Sequence, residues 1–168
     1  MKTRLFIAIL LGFFAPIGLS GLAQTGGPNG GIAQSLPKVE LHIGHATLNT
    51  QVAATPAENE AGLMYVSHLP DNDGMIFLLG RVGVQTFWMK NTLIPLSVAF
   101  IDKNGVILEI HDMQPGDPSV PDNELPRTQS ESDQVAYALE TNLHWFALNG
   151  VKPGDKIEPS PAALAKTP

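Results

Sequence analysis

The 168-residue chain contains no cysteine. That absence excludes a disulfide framework, a thiol nucleophile, an iron–sulfur cluster and a thiolate zinc finger. Stability must come from an apolar core, which about 120 to 130 ordered residues can supply without covalent staples. Basic residues are also scarce: ten Lys and Arg stand against sixteen Asp and Glu. They are scattered singly, with no basic stripe and no interleaved aromatics. Nucleic acids and anionic membrane surfaces both require clustered positive charge, so neither is an expected partner. No internal repeat and no phosphate-cradling glycine loop is present. A chain of this length has room for one domain.

What is present begins with an export signal. Lys2 and Arg4 precede an apolar run over residues 5–14, interrupted only by Gly12. Pro16, Gly18, Ser20 and Gly21 break the run and lead to Gly21-Leu22-Ala23, small residues of the kind signal peptidase reads. The run falls short of the roughly 20 residues that span a bilayer. Residues 1–23 therefore read as a signal peptide cleaved after Ala23, with an uncleaved anchor as the alternative. Cleavage removes two basic residues and no acidic ones, leaving a net charge of −8. The expected location is periplasmic or secreted, with no membrane insertion after cleavage.

Residues 24–37 are rich in Gly, Pro, Ser and Gln and read as a flexible linker. Residues 159–168 read as a flexible tail, and residues 38–158 as a single β-rich domain. Val39, Leu41 and Ile43 alternate with Glu40 and His42, the period-two pattern of a half-buried strand. Residues 46–52 repeat it. Thr55-Pro56-Ala57-Glu58 has capping-box spacing with Pro at the first helical position, and Gly62 is placed to stop that helix. Strands are expected at 75–79, 84–89, 96–101, 106–110 and 134–140, with a polar loop over 112–133. Asn104-Gly105 supplies the positive φ angles of a tight hairpin. Leu143, Phe146 and Ala147 mark the inner face of a second short helix closed by Gly150. The pattern predicts a mainly β fold, a compact antiparallel sandwich or barrel with two short helices.

The segment Thr86-Phe87-Trp88-Met89-Lys90-Asn91-Thr92-Leu93-Ile94-Pro95-Leu96 resembles the hallmark of the domain-of-unknown-function family 192. Gly62-Leu63-Met64, Leu69-Pro70 and Gly74-Met75-Ile76-Phe77 resemble its upstream motif. Tyr137-Ala138-Leu139-Glu140, Trp145-Phe146 and Gly150-Val151-Lys152-Pro153-Gly154-Asp155 resemble the downstream ones. The resemblance covers nearly all of residues 38–158. It implies a jelly-roll-like β fold, often behind a signal peptide, and no established activity. Asn59 and Val66 stand where the family commonly has arginine, and Ser97 where it commonly has Asp. An anion-binding role for those arginines would not carry over to this chain.

Trp88, Lys90 and Asn91 sit where a strand runs into a loop, a common way to hold binding residues on a rigid sheet. Strand alternation sends Trp88 and Lys90 to one face, and Met89 and Asn91 to the other. With Asp102 and Glu140 they form the candidate ligand-binding set. The competing reading is structural: Asn91 and Thr92 would satisfy turn backbone, Lys90 would pair with a carboxylate, and Asp102 would open the hairpin turn. Acid–base chemistry would need His111 beside Asp102, Glu109, Asp112 or Glu140. Copper binding would draw on Met64, Met75 and Met89 with His42, His45 and His68, although Met is equally a core filler. Ser67 and Ser97 lack a nucleophile elbow. No metal site and no cofactor is assigned. The expectation is an exported envelope protein that binds a small polar ligand or partner protein without catalysis. An acid–base hydrolase or a Met/His copper binder are the alternatives.

Overall fold

The computed structural model describes residues 31–117 and 119–165; the signal-peptide reading lies outside them. The chain runs through β1 (Lys38–Ile43), β2 (Ala46–Ala53), α1 (Pro56–Ala61), β3 (Asp73–Leu78), β4 (Thr86–Trp88) and β5 (Leu96–Asp102). It continues through β6 (Ile107–Met113), β7 (Arg127–Gln129), β8 (Val135–Asn142), α2 (Trp145–Leu148), β9 (Ile157–Glu158) and α3 (Pro161–Leu164). Seven strands form one sheet in the order β6-β5-β8-β3-β2-β1-β9, while β4 and β7 pair as a separate ribbon. The large sheet curls until its two edges meet. Val106 bridges Lys156, Ile107 N–H donates to the Asp155 carbonyl at 2.9 Å, and Ile157 N–H donates to the Gly105 carbonyl at 2.9 Å. The mainly β expectation holds, in its barrel form.

The strands differ in pattern because they differ in what covers them. Ile76, Leu78, Ala99, Ile101 and Leu139 point into the barrel and join Leu41, Leu48, Trp145 and Phe146 in one core. Their sequence neighbours Met75, Phe77, Val98, Phe100 and Ala138 point outward and form a second core with Leu63 and Met89. Burial on both faces gives β3 and β5 near-continuous apolar runs, whereas β1 and β2 alternate. The outer core lies under the segment around α1 and under the β4–β7 ribbon.

Several local expectations are met and several need correction. The capping box forms, with Glu58 N–H donating to Thr55 Oγ1 at 3.3 Å and Thr55 N–H donating to Glu58 Oε2 at 2.8 Å. Gly62 ends that helix at φ 46°. The 102–105 hairpin exists, but only Gly105 has a positive φ, and Asp102 N–H bonds to the Val106 carbonyl. That is a longer turn than the two-residue type expected from Asn-Gly. One strand pair departs from the antiparallel expectation: β2 and β3 run parallel, with Thr50 opposite Gly74, because the α1 connection returns the chain in the same direction. Residues 112–133 are not all loop, since β6 reaches Met113 and β7 lies within them. In α2 the buried residues are Trp145 and Phe146, while Leu143 is half-buried and Ala147 exposed. A third short helix, α3, sends Leu164 into the barrel core. Residues 31–37 have no regular structure, yet Leu36 N–H donates to Gln51 Oε1 at 2.7 Å and Val52 N–H to the Pro37 carbonyl at 3.0 Å.

Gly74 marks the tightest backbone approach inside the sheet. A Cβ there would lie 2.6 Å from the Glu140 carbonyl oxygen. Gly74→Ala is therefore expected to cost about 1–3 kcal/mol through forced separation of β3 and β8. Urea unfolding checks this, and an unchanged midpoint would show that the two strands can spread freely.

Candidate functional site

Strand β4 is short, and its residues divide by alternation. Phe87 packs edge-on against Phe77, with ring centroids 5.2 Å apart, and against Phe100 at 5.7 Å. That wedge fixes the ribbon on the barrel and leaves Trp88 half-buried beside it. Lys90 Nζ and the Arg127 guanidinium each sit 5.1 Å from the Trp88 ring centroid, a distance at which the electron-rich ring face attracts a cation. Trp88 and Lys90 thus share a side, as the alternation predicts. Met89 is buried in the outer core.

The turn after β4 accounts for part of the motif. Asn91 occupies the left-handed region at φ 52°, which Asn tolerates better than most residues. Its carbonyl accepts from Tyr65 N–H at 2.8 Å, and its side-chain amide donates to Met64 Sδ at 3.9 Å. Thr92 Oγ1 donates to the Lys90 carbonyl at 3.3 Å. Lys90 Nζ donates to Asp122 at 2.5 Å, and that hydrogen bond holds the ammonium above its ordinary pKa. Asn91 and Thr92 therefore do structural work whatever else they do.

Glu140 lies near the C-terminal end of β8, opposite Met75 on one side and Val98 on the other. It points into the outer core and is 5 % exposed. Among the described residues its carboxyl meets no hydrogen-bond donor, and burial pushes its pKa up to about 8. A narrow cleft of about 30 Å³ reaches it, walled by Trp88, Phe87, Phe77, Leu63, Asn59 and Thr92. Asn59, in α1, donates through Nδ2 to the Leu78 carbonyl at 3.1 Å, which leaves its buried Oδ1 without a partner. A neighbouring cleft of about 80 Å³ shares Lys90 and Thr92 and is lined by Asn91, Tyr65 and Leu125.

The structure thus brings Trp88, Lys90 and Glu140 to one cleft and places Asn91 in the adjoining one. Asp102 goes elsewhere. It stands at the 102–105 turn, accepting from the N–H groups of Asn104 at 2.8 Å and Val106 at 2.9 Å. Burial raises its carboxyl, but those donors outweigh it and hold the group below its ordinary range. Sequence reasoning missed Arg127, which arrives from a segment read as loop. Asn59 also enters the cleft wall, through tertiary packing that has no local sequence signal.

The alternative chemistries have definite positions too. His111 Nε2 lies 2.7 Å from Glu109 Oε2, and Glu109 also accepts from the N–H groups of Glu131 and Ser132. Desolvation raises Glu109, yet these donors win and keep it ionised. The pair anchors the 131–132 segment and lines neither cleft. Ser97 Oγ donates to Asp112 at 2.5 Å and accepts from His144 N–H at 2.8 Å, while His144 Nδ1 meets the other Asp112 oxygen at 2.8 Å. The carboxylate stands between hydroxyl and imidazole, so the ring is not placed to take the serine proton, and Ser97 is fully buried. Met75 and Met89 are core residues, His45 and His68 are exposed, and His42 lies at the surface by Thr47 and Glu40.

A small, edge-closed β barrel with an outer layer and a polar cleft is the class of domain that these features define. Residues 39–159 match the model of family DUF192, described as "Uncharacterized ACR". The chain belongs to that domain-of-unknown-function family, as its Trp88-Met89-Lys90-Asn91-Thr92 segment suggested. A crystal structure of a protein of unknown function from Novosphingobium aromaticivorans is similar, at 31% identity and a TM-score of 0.64. That match covers 73% of this chain and 86% of that one. A protein proposed as a transcription regulator from Sinorhizobium meliloti 1021 is similar at 34% identity, again with a TM-score of 0.64, covering 74% and 95% of the two chains. No curated protein matches. No helix among the described residues is long and apolar enough to cross a membrane.

Proposed function

We propose that this protein is an exported binding module of the cell envelope, which takes a small polar ligand or partner group in the cleft beneath Trp88 and catalyses no reaction. The observation that carries this reading is convergence. Trp88 from β4, Lys90 from the following turn, Asn59 from α1 and Glu140 from β8 line one cleft although they are far apart in sequence. Among the described residues Asn59 buries its Oδ1 without a partner and Glu140 is desolvated with no donor, an arrangement that costs free energy unless something else uses them. The N-terminal leader read from Lys2 to Ala23 supports an envelope address. The regulator description belongs to the Sinorhizobium protein; the acidic balance of this chain gives a DNA backbone little to bind.

Thermal-shift screening of the purified domain against sugars, amines, metals and cell-wall fragments tests the reading. A ligand present at about 100 times its dissociation constant should stabilise the fold by about 2.7 kcal/mol, visible as a raised melting temperature. Trp88→Ala and Lys90→Ala should each abolish or sharply reduce that shift. A ligand whose shift survives both substitutions would place binding elsewhere and end the proposal.

A further inference from the structure

The cleft beneath Trp88 has acceptors in excess of donors. Among the described residues Asn59 Oδ1 is buried without a partner, the Glu140 carboxyl at 5 % exposure meets no donor, and Thr92 Oγ1 spends its proton on the Lys90 carbonyl, so its lone pairs remain open. The amide orientation of Asn59 is fixed by its other end, through the bond to the Leu78 carbonyl. The walls between these acceptors are apolar: Leu63, Phe77 and Phe87. The space, about 30 Å³, suits a head no larger than one or two water molecules.

We propose that this cleft is a subsite for a primary ammonium group carried on an alkyl stem, with its three N–H donors shared among Glu140, Asn59 and Thr92. This deepens the binding-module reading and rests on it. Size argues against a guanidinium, which presents four heavy atoms in a plane. The apolar walls suit methylenes behind the charged head. Lys90 does not fill the subsite, because its ammonium is held by Asp122.

The surrounding charges make the binding pH-dependent. From α1 the cleft receives Glu60, and from the turn after β4 it receives Lys90. The flanking strands offer only Met75 and Val98 beside Glu140; beyond Val98 stands His111, committed to Glu109. Among the described residues nothing fixed neutralises Glu140, so below about pH 8 it is largely a carboxylic acid. Taking up an ammonium requires that proton to leave for solvent. Affinity therefore rises by about tenfold per pH unit up to about 8, then levels until the amine itself deprotonates near about 10.4.

The test is a titration of the isotope-labelled protein with n-butylammonium chloride, followed by NMR at pH 6, 7, 8 and 9. Tetramethylammonium, which has no N–H, is the control. Saturable shifts of the Asn59 side-chain amide and the Trp88 indole are expected with the first compound only, with the tenfold-per-unit trend below pH 8. Glu140→Gln should remove the trend and weaken binding at least about tenfold. Should that variant fold poorly, Asn59→Asp gives the opposite reading, tighter binding through an added charge. Equal shifts with tetramethylammonium, or affinity flat across pH, would overturn the ammonium assignment. If no amine binds while a neutral or anionic compound does so in a Trp88-dependent way, the subsite is wrong and the binding module stands. If nothing binds in a Trp88-dependent way, both fall.

Discussion

Replacing Phe100 by alanine is expected to lower stability by about 3–5 kcal/mol, among the largest losses any single core truncation should cause. Phe100 is completely buried in β5, between β6 and β8 in the sheet. Its ring stands edge-on to Phe87 and to His111, each at 5.7 Å, and Phe87 in turn packs on Phe77. Truncation would leave a void in the outer core, between the barrel wall and the layer over it, and it would withdraw the platform under the β4 wedge. Phe87→Ala should cost less, because Phe87 is only half-buried. Chemical denaturation with both variants checks the order. A loss below about 1 kcal/mol for Phe100→Ala would mean that the outer core is loosely packed.

The second large effect concerns pH. Folding raises the Glu140 pKa from an ordinary 4.5 to about 8, through desolvation alone. The sign follows from proton uptake. The folded state holds the proton more tightly, so the stabilising contribution is complete below about pH 4.5 and is lost progressively as pH rises to about 8. At about 1.4 kcal/mol per pKa unit, the loss across that window is roughly 3–6 kcal/mol. Asp102 and Glu109 are held below their ordinary values and act in the opposite sense, at lower pH. Urea unfolding of the wild-type protein should thus show stability falling between pH 5 and pH 8. Glu140→Gln should flatten the curve and be the more stable protein at pH 8. A wild-type profile that is flat or rising over the same window would show that the carboxyl finds a partner or water in solution.

What could be read from the sequence and what could not has a physical pattern. Strand β1 is legible because one of its faces meets solvent, so Leu41 and Ile43 alternate with Glu40 and His42. The Thr55–Glu58 box is legible because its interactions span three residues. Strands β3 and β5 show as apolar runs, but with both faces covered they give no hint of which side chains meet inside the barrel and which outside. Edge closure through Val106 and Lys156 joins residues 50 apart and has no local signature. The same holds for the site. Trp88 and Lys90 share a face by alternation, whereas Asn59 and Arg127 reach the cleft and Trp88 only through tertiary packing. Asp102 is charged like Lys90 and Arg127, but its place at the head of the hairpin turn accounts for it.

The β4–β7 ribbon has one more consequence. Two strands of three residues each, paired only with one another, form a unit that would be marginal in isolation. Phe87 is its main apolar tie to the barrel, while the seven-stranded sheet has hydrogen bonds on nearly every side. The two parts therefore have different opening free energies, as separate cooperative units do. The ribbon that carries Trp88 is expected to open before the barrel does, which earlier hydrogen exchange at the β4 and β7 amides would show. A doorway that breathes in this way would admit guests longer than the resting gap, with Phe87 as its hinge pin.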